Sequence, residues 1–337
     1  MRRLLGAASP QSLRLMALFL ALLGTILFFS TQIDGYLSAR MFNRISTSAA
    51  VILPVAVGQA IVIMTRNIDL SVGSILGVVA YVTGQTLAAL PELHPVLVVA
   101  LAMGIGAVAG AINGVLVAWG RVPSIIVTLG TLALFRSFLV EYSDATTITT
   151  ASLPAWLVDL PQKSLVSVGP LDIRVTVVLA LAACLVVGVG LSRLRAARRF
   201  LAVGSNPDAA RMAGINAPAV VFLAFVLSGA LAGLSGFIFL AKFGNITVVA
   251  GLGFELKSIA AVVVGGVSIM GGSGTMLGVL MGTVLVDTID NSLTRWELVS
   301  EFWRDALLGM LIMAAVTLDT LAARSLARLR GKAGGST

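Results

Sequence analysis

Ten apolar runs, separated by short polar or glycine-containing breaks, divide the chain at about 15–33, 46–64, 70–90, 96–119, 123–140, 174–192, 217–240, 256–270, 275–290 and 304–321. Many approach the roughly 20 apolar residues that cross a hydrocarbon core as helix, and they lack the alternation of barrel strands. The pattern predicts an all-α integral membrane protein of about ten transmembrane helices. The eighth and ninth runs are short enough that one could be tilted, broken or partly re-entrant. Small residues recur at helix-contact spacing, as Gly106, Gly110 and Gly114, as Gly229 and Gly233, and as Gly274, Gly278 and Gly282. Helix backbones can approach closely along such faces, inside the bundle or between two copies.

Composition carries the same message. Of 337 residues, 58% are hydrophobic and 11% charged, with a mean hydropathy of +1.02, a surface that no water-soluble domain could carry. The net charge of +8 does not point to nucleic acid, because the basic residues sit in short loops and at both ends, where they orient spans. An internal amino end places most of the 23 Lys and Arg residues inside. The loop 142–172 has only Lys163 against Asp144, Asp159 and Asp172 and belongs to the periplasmic side. Both termini then face the cytoplasm, residues 322–337 form a cytoplasmic tail, and 1–337 reads as one membrane domain. Arg2 and Arg3 ahead of an apolar run resemble a signal peptide, but Ser30-Thr31-Gln32-Ile33 has no clear small-x-small cleavage site. The run is read as a retained first span.

The most informative stretch is the basic loop 193–216. Asn206 can cap a helix, Pro207 fits its first turn, Asp208 faces the positive end of the dipole, and Gly214 can close it in a left-handed conformation. A helix of about two turns is unstable alone. It either folds on its own bundle or offers Phe200, Leu201, Met212 and Ile215 to a cytoplasmic partner. Asn67-Ile68-Asp69-Leu70-Ser71 is a polar break where Asp69 or Ser71 can cap the third span, line or gate a path, or do both. Glu255, Lys257, Asp287 and Asp290 either compensate helix dipoles at a solvated rim or, with Arg295 and Glu301, form an external docking rim for a solute-delivering protein. Arg136, well inside a span, is explained by pairing or snorkelling.

Several chemistries are disfavoured. A lone Cys184 and a lone His94 allow no internal disulfide and no His/Cys metal site. Gly265-Gly266 and Gly271-Gly272-Ser273-Gly274-Thr275 lack the lysine of a phosphate loop and read as a tight turn. The spans have almost no acid at mid-depth, against ion coupling, and no converging nucleophile, base or carboxylate cluster, against a membrane enzyme. What remains is a passive pathway driven by another subunit that grips the short loop helix.

The residues also resemble those of a known family, the permease subunits of bacterial ABC importers in the ribose, xylose, rhamnose and autoinducer-2 group. Residues 66–74, Arg-Asn-Ile-Asp-Leu-Ser-Val-Gly-Ser, are similar to its G-G-I-D-L-S-V-G segment, with Arg66-Asn67 in place of two glycines. Residues 122–132 resemble V-P-x-F-I-V-T-L-G-T, residues 202–216 resemble A-x-G-x-N-x-x-A-A-x-x-x-G-I, and 255–275 resemble E-L-x-x-I-A-A-x-x-L-G-G-x-S-x-x-G-G-x-G. The resemblance implies a type II importer-like bundle working by alternating access in the bacterial inner membrane. The partners it implies are a second permease of the same or a related chain, a periplasmic solute-binding protein, and ABC ATPase subunits that bind ATP and Mg, with no cofactor in this chain. Gly204, Asn206, Pro207, Asp208, Ala209, Arg211 and Gly214 are then the ATPase-coupling set. Asn67, Asp69, Ser71, Thr128 and Thr131 are the candidates for path or gate. The implied solute is a monosaccharide such as rhamnose, ribose or xylose, with autoinducer-2 as the alternative.

Overall fold

The computed structural model describes residues 10–296 and isolated helical positions between 303 and 317. The chain runs through α1 (Pro10–Gln32), α2 (Ala39–Met64), α3 (Val72–Ala89), α4 (Pro95–Ala118) and α5 (Ser124–Ser143). A 3-10 turn (Thr150–Ser152), α6 (Ala155–Asp159), β1 (Ser164–Val168) and β2 (Leu171–Arg174) follow. The remainder is α7 (Val175–Arg193), α8 (Arg195–Ser205), α9 (Pro207–Met212), α10 (Ala217–Phe243), α11 (Phe254–Val264) and α12 (Met276–Arg295). Local chemistry sets several starts: Ser38 caps α2 through the Met41 N–H, Pro95 opens α4, and Thr275 caps α12 through the Gly278 N–H.

Eight of these helices are long and apolar enough to cross a membrane, namely α1 to α5, α7, α10 and α12. They match runs one to seven and nine. Of the two short runs the eighth is the broken one: its helix stops at Val264, because the chain turns at Gly265 and Gly266, the latter at φ +83°. Eleven residues rise about 16 Å, half a hydrocarbon core. The tenth run falls on residues mostly outside those described, as does the tail.

The central helix is α2, buried along nearly its whole inner length, whereas α1 and α7 are largely bare and fit to face lipid. The small-residue faces close contacts inside the chain. A Cβ on Gly106 would lie 2.1 Å from the Gly229 carbonyl oxygen, and one on Gly110 would lie 2.2 Å from that of Phe225, so α4 and α10 meet backbone to backbone. Gly278 and Gly282 bring α12 equally close to Gly265 and Ala261 at the end of α11.

One end of the bundle carries α8, α9 and the turns after α2 and α11; we call it the basic end. The opposite end carries the 144–174 segment, whose antiparallel β1–β2 hairpin is a small departure from all-helix. Asn43 on α2 accepts a hydrogen bond from the Asp172 N–H at 3.3 Å and pins the hairpin down. After α10 the chain folds back: Ile246 bridges to Ile148, and Gly251 then packs on the Gly73 carbonyl in the first turn of α3. Arg136 on α5 holds this returning strand by donating to the carbonyls of Val248 and Ala250 at 2.9 and 2.7 Å.

Because the Gly110 contact is with backbone that cannot rotate away, Gly110→Val should destabilise the protein by at least the ~1–3 kcal/mol of an overpacked core. A thermal unfolding midpoint in detergent equal to that of the unaltered protein would contradict the seam.

Candidate coupling and translocation site

The break between α2 and α3 is a buried polar knot. Asp69 and Ser71 have no exposed surface. The Asp69 carboxylate accepts from the Ser71 N–H at 2.9 Å and from its hydroxyl at 2.6 Å, and Asn113 of α4 donates to the Ser71 hydroxyl at 2.7 Å. The N-cap position of α3 is Ser71, and neither expected cap forms there: the Ser71 side chain makes no cap bond, and Asp69 bonds Ser71 rather than an N–H of the helix. Gln59 on α2 pairs with both the N–H and the C=O of Asp69. Burial holds the Asp69 carboxyl above the usual carboxylate range, at about 6, against the opposing pull of the Ser71 hydrogen bonds.

The first turns of α5 join the same knot. Ser124 accepts from the Ile68 N–H at 3.1 Å, and Thr128 bonds to the Ser124 carbonyl at 2.8 Å, with Thr131 one turn further at the Thr128 carbonyl. Asn67 folds back on the Thr65 carbonyl and hydroxyl. Of the five residues read as path or gate, Asp69, Ser71 and Thr128 meet around the break, whereas Asn67 bonds only Thr65 and Thr131 only its own helix; all but Asn67 are buried. Gln59, Asn113 and Ser124 belong with them and escaped the sequence reading. Their signal was polarity in otherwise apolar spans.

At the basic end, α9 forms as expected. Asn206 Oδ1 accepts from the N–H groups of Asp208 and Ala209 at 3.1 and 3.0 Å, Pro207 is the first residue, and Gly214 closes the helix at φ +77°. Asp208 and Arg211 approach to 3.7 Å, but both are exposed, so the pair adds little stability. Of the apolar residues offered to a partner, Phe200 is buried and Leu201 and Ile215 pack on the chain's own core; Met212 is 91% exposed. Gly204 has a different role from the rest of the coupling set. A Cβ there would fall 1.6 Å from the Met64 carbonyl oxygen and 2.7 Å from the Gly272 nitrogen, so it is the contact by which α8 touches both other turns of the basic end.

The proposed rim of acids and a lysine is corrected. Asp287 is 0% exposed, with Ser48 and Lys242 beside it and Asn291 donating to its carboxylate at 3.0 Å. Lys257 and Asp290 pair at 2.9 Å, mostly shielded, and the Glu255 carboxylate accepts from the Gly253 N–H at 3.2 Å against Gly73. Lys257 and Asp290, with Asp287 and Lys242 beside them, form an internal charge network joining α11 to α12 and α10, while Glu255 bonds within its own turn. At the hairpin end, a cavity of about 500 Å³ opens instead between α2 and the hairpin, lined by Ala39, Arg40, Asn43, Arg44, Thr47, Pro170 and Arg174. Among the described residues no carboxylate forms a salt bridge with its three guanidinium groups. Among the same residues, no group of His, Cys, Asp or Glu could hold a metal ion.

Comparison with known proteins places the arrangement. A family model described as branched-chain amino acid transport system, permease component, matches residues 41–316. The autoinducer 2 import system permease protein LsrC of Yersinia enterocolitica is 36% identical over 307 residues, 91% of this chain and 81% of that protein. LsrC of Escherichia coli K12 is 36% identical over 302 residues, covering 89% and 85%, and that of Enterobacter sp. strain 638 is 35% identical over 315 residues, covering 94% and 89%. No solved structure matches.

Ser71→Ala leaves Asn113 and Asp69 each short of one buried partner. It should cost about 1–3 kcal/mol, read as a lowered unfolding midpoint in detergent; an unchanged midpoint would mean that the knot is not a coupled network.

Proposed function

The chain belongs to the branched-chain amino acid transport system permease family, and from that premise we propose that it forms the solute pathway of an ATP-driven importer of autoinducer-2. It is a multi-pass inner-membrane permease of the sugar and autoinducer-2 group, a non-catalytic subunit whose family keeps its ATPase on a separate chain. The observation that carries the choice of solute is likeness over about nine-tenths of the chain to permeases named for autoinducer-2 import. Those names favour autoinducer-2 over rhamnose, ribose or xylose.

In this reading the basic end is cytoplasmic and α9 sits in a cleft of the ATPase. The bare Met212 and the capped, charged start of α9 support that use. ATP can drive transport only if the ATPase binds this handle more tightly in one state of the bundle than in the other. The knot at Asp69 and Ser71 is then the element whose two arrangements open and close the path. Its polar groups are turned on one another here, as the closed arrangement of this reading requires. The arginine cavity faces the periplasm and takes an acidic side chain of the solute-binding protein, since three guanidinium groups with no salt bridge among the described residues favour a carboxylate.

Proteoliposomes holding this permease, its ATPase subunits and its binding protein test the reading. ATP-dependent uptake of autoinducer-2 should exceed that of ribose. Asp208→Lys and Gly214→Val should each lower uptake per ATP about 10-fold, and Arg44→Glu should raise the binding-protein concentration needed. Equal uptake of ribose, or unaltered uptake per ATP in both loop variants, would reject it.

A further inference from the structure

Arg66 is one of the few residues other than glycine with a left-handed backbone, at φ +66°. A side chain there is strained relative to glycine, so the residue invites a reason for carrying one. Its guanidinium supplies it: Nε donates to the Gly204 carbonyl at 2.5 Å and an Nη donates to the Ser205 carbonyl at 2.7 Å. Those carbonyls belong to the last two residues of α8, directly ahead of Asn206, the cap of α9. The stem of Arg66 lies against Gly271, where a Cβ would come within 2.5 Å of its Cγ. Gly272 donates to the Met64 carbonyl at 3.0 Å, and a Cβ on Gly272 would meet Ser205 at 2.6 Å. Three turns distant in sequence therefore share one node.

We infer that Arg66 is a positioning residue for transport, a two-pronged strut that carries displacement of the α9 segment into the break holding Asp69 and Ser71. The inference rests on the reading of α9 as the ATPase handle. Covalently, α9 is tied to α7 through α8 and to α10 through its own end. The strut adds a third, lateral route: from the Ser205 carbonyl to Arg66, and three residues on to Asp69. Gly272 on Met64 adds a fourth, into α12. Two donors in a fixed planar fork hold a direction as well as a distance, which a single flexible ammonium does not. The head is solvent-accessible, so its value lies in geometry more than in stability.

The test uses the reconstituted permease with its ATPase subunits and binding protein, measuring autoinducer-2 uptake and ATP turnover side by side. Arg66→Gly relieves the backbone strain and removes the strut. ATP turnover should stay within about two-fold of the unaltered assembly while uptake per ATP falls about 10-fold. Arg66→Lys, which keeps a donor to one carbonyl, should recover part of that ratio. Arg66→Met keeps the packing on Gly271 without donors and repeats the test should the glycine variant fail to assemble. If the donor-free variants import as much per ATP as the unaltered protein, the inference is overturned alone. If Lys and Met both keep the unaltered ratio while Gly loses it, the residue acts by packing and the strut is again overturned. An unaltered assembly that takes up nothing on ATP overturns the functional reading and the inference together.

Discussion

A backbone that leaves helical form among apolar side chains must find partners for its N–H and C=O groups, because neither lipid nor a packed core supplies them. This bundle interrupts its helices after α2, after α10 and after α11, and the breaks satisfy that demand from one another and from polar side chains on the neighbouring helices. Gly272 bonds the end of α2, Gln59 pairs the backbone of Asp69, and Arg136 holds the strand that returns after α10. Glycines at the crossings let the backbones approach closely enough for these bonds to form. The rest of the architecture follows, since segments so joined cannot shift independently.

That arrangement explains how a chain with few charges can be moved by a motor. Side-chain packing in the spans resists continuous deformation, so a push on one loop is felt as displacement of whole helices. The node at Gly204 gathers the turns after α2, α8 and α11, and from it lead the polar knot of Asp69 in one direction and the charged network of Asp287 and Lys257 in another. Such buried ionic groups are poor sources of net stability. Their use here is to give the helices discrete, matched arrangements.

Much of this was legible in residue pattern. Apolar length gave the spans, and glycine spacing marked the close-packing faces of α4, α10 and α12 without saying which met which, because both rules are local and periodic. The cap at Asn206 and the left-handed Gly214 were equally readable, as capping depends on a few neighbouring residues. Which of the two short runs breaks, and where, stayed open because hydrophobicity continues through Val267, Ile269 and Met270 while the glycine pair before them turns the backbone. The rim of Glu255, Lys257, Asp287 and Asp290 misled because position near a helix end does not say whether a neighbouring helix covers it. The bonds of Arg66 reach 138 and 139 residues along the chain, and no sequence spacing encodes such a contact.

The central claim is that the turns of the basic end move as one body with the handle. Spin labels at Met212 and Met270, both exposed at 91% and 71%, report on it directly once Cys184 is replaced by serine. Distances between the two labels, measured by double electron–electron resonance in the full assembly, should stay the same when the ATPase is trapped with nucleotide, while distances between equivalent labels on the two permeases change. A nucleotide-dependent shift between Met212 and Met270 within one chain would show that the handle slides past the node, and the account would fail.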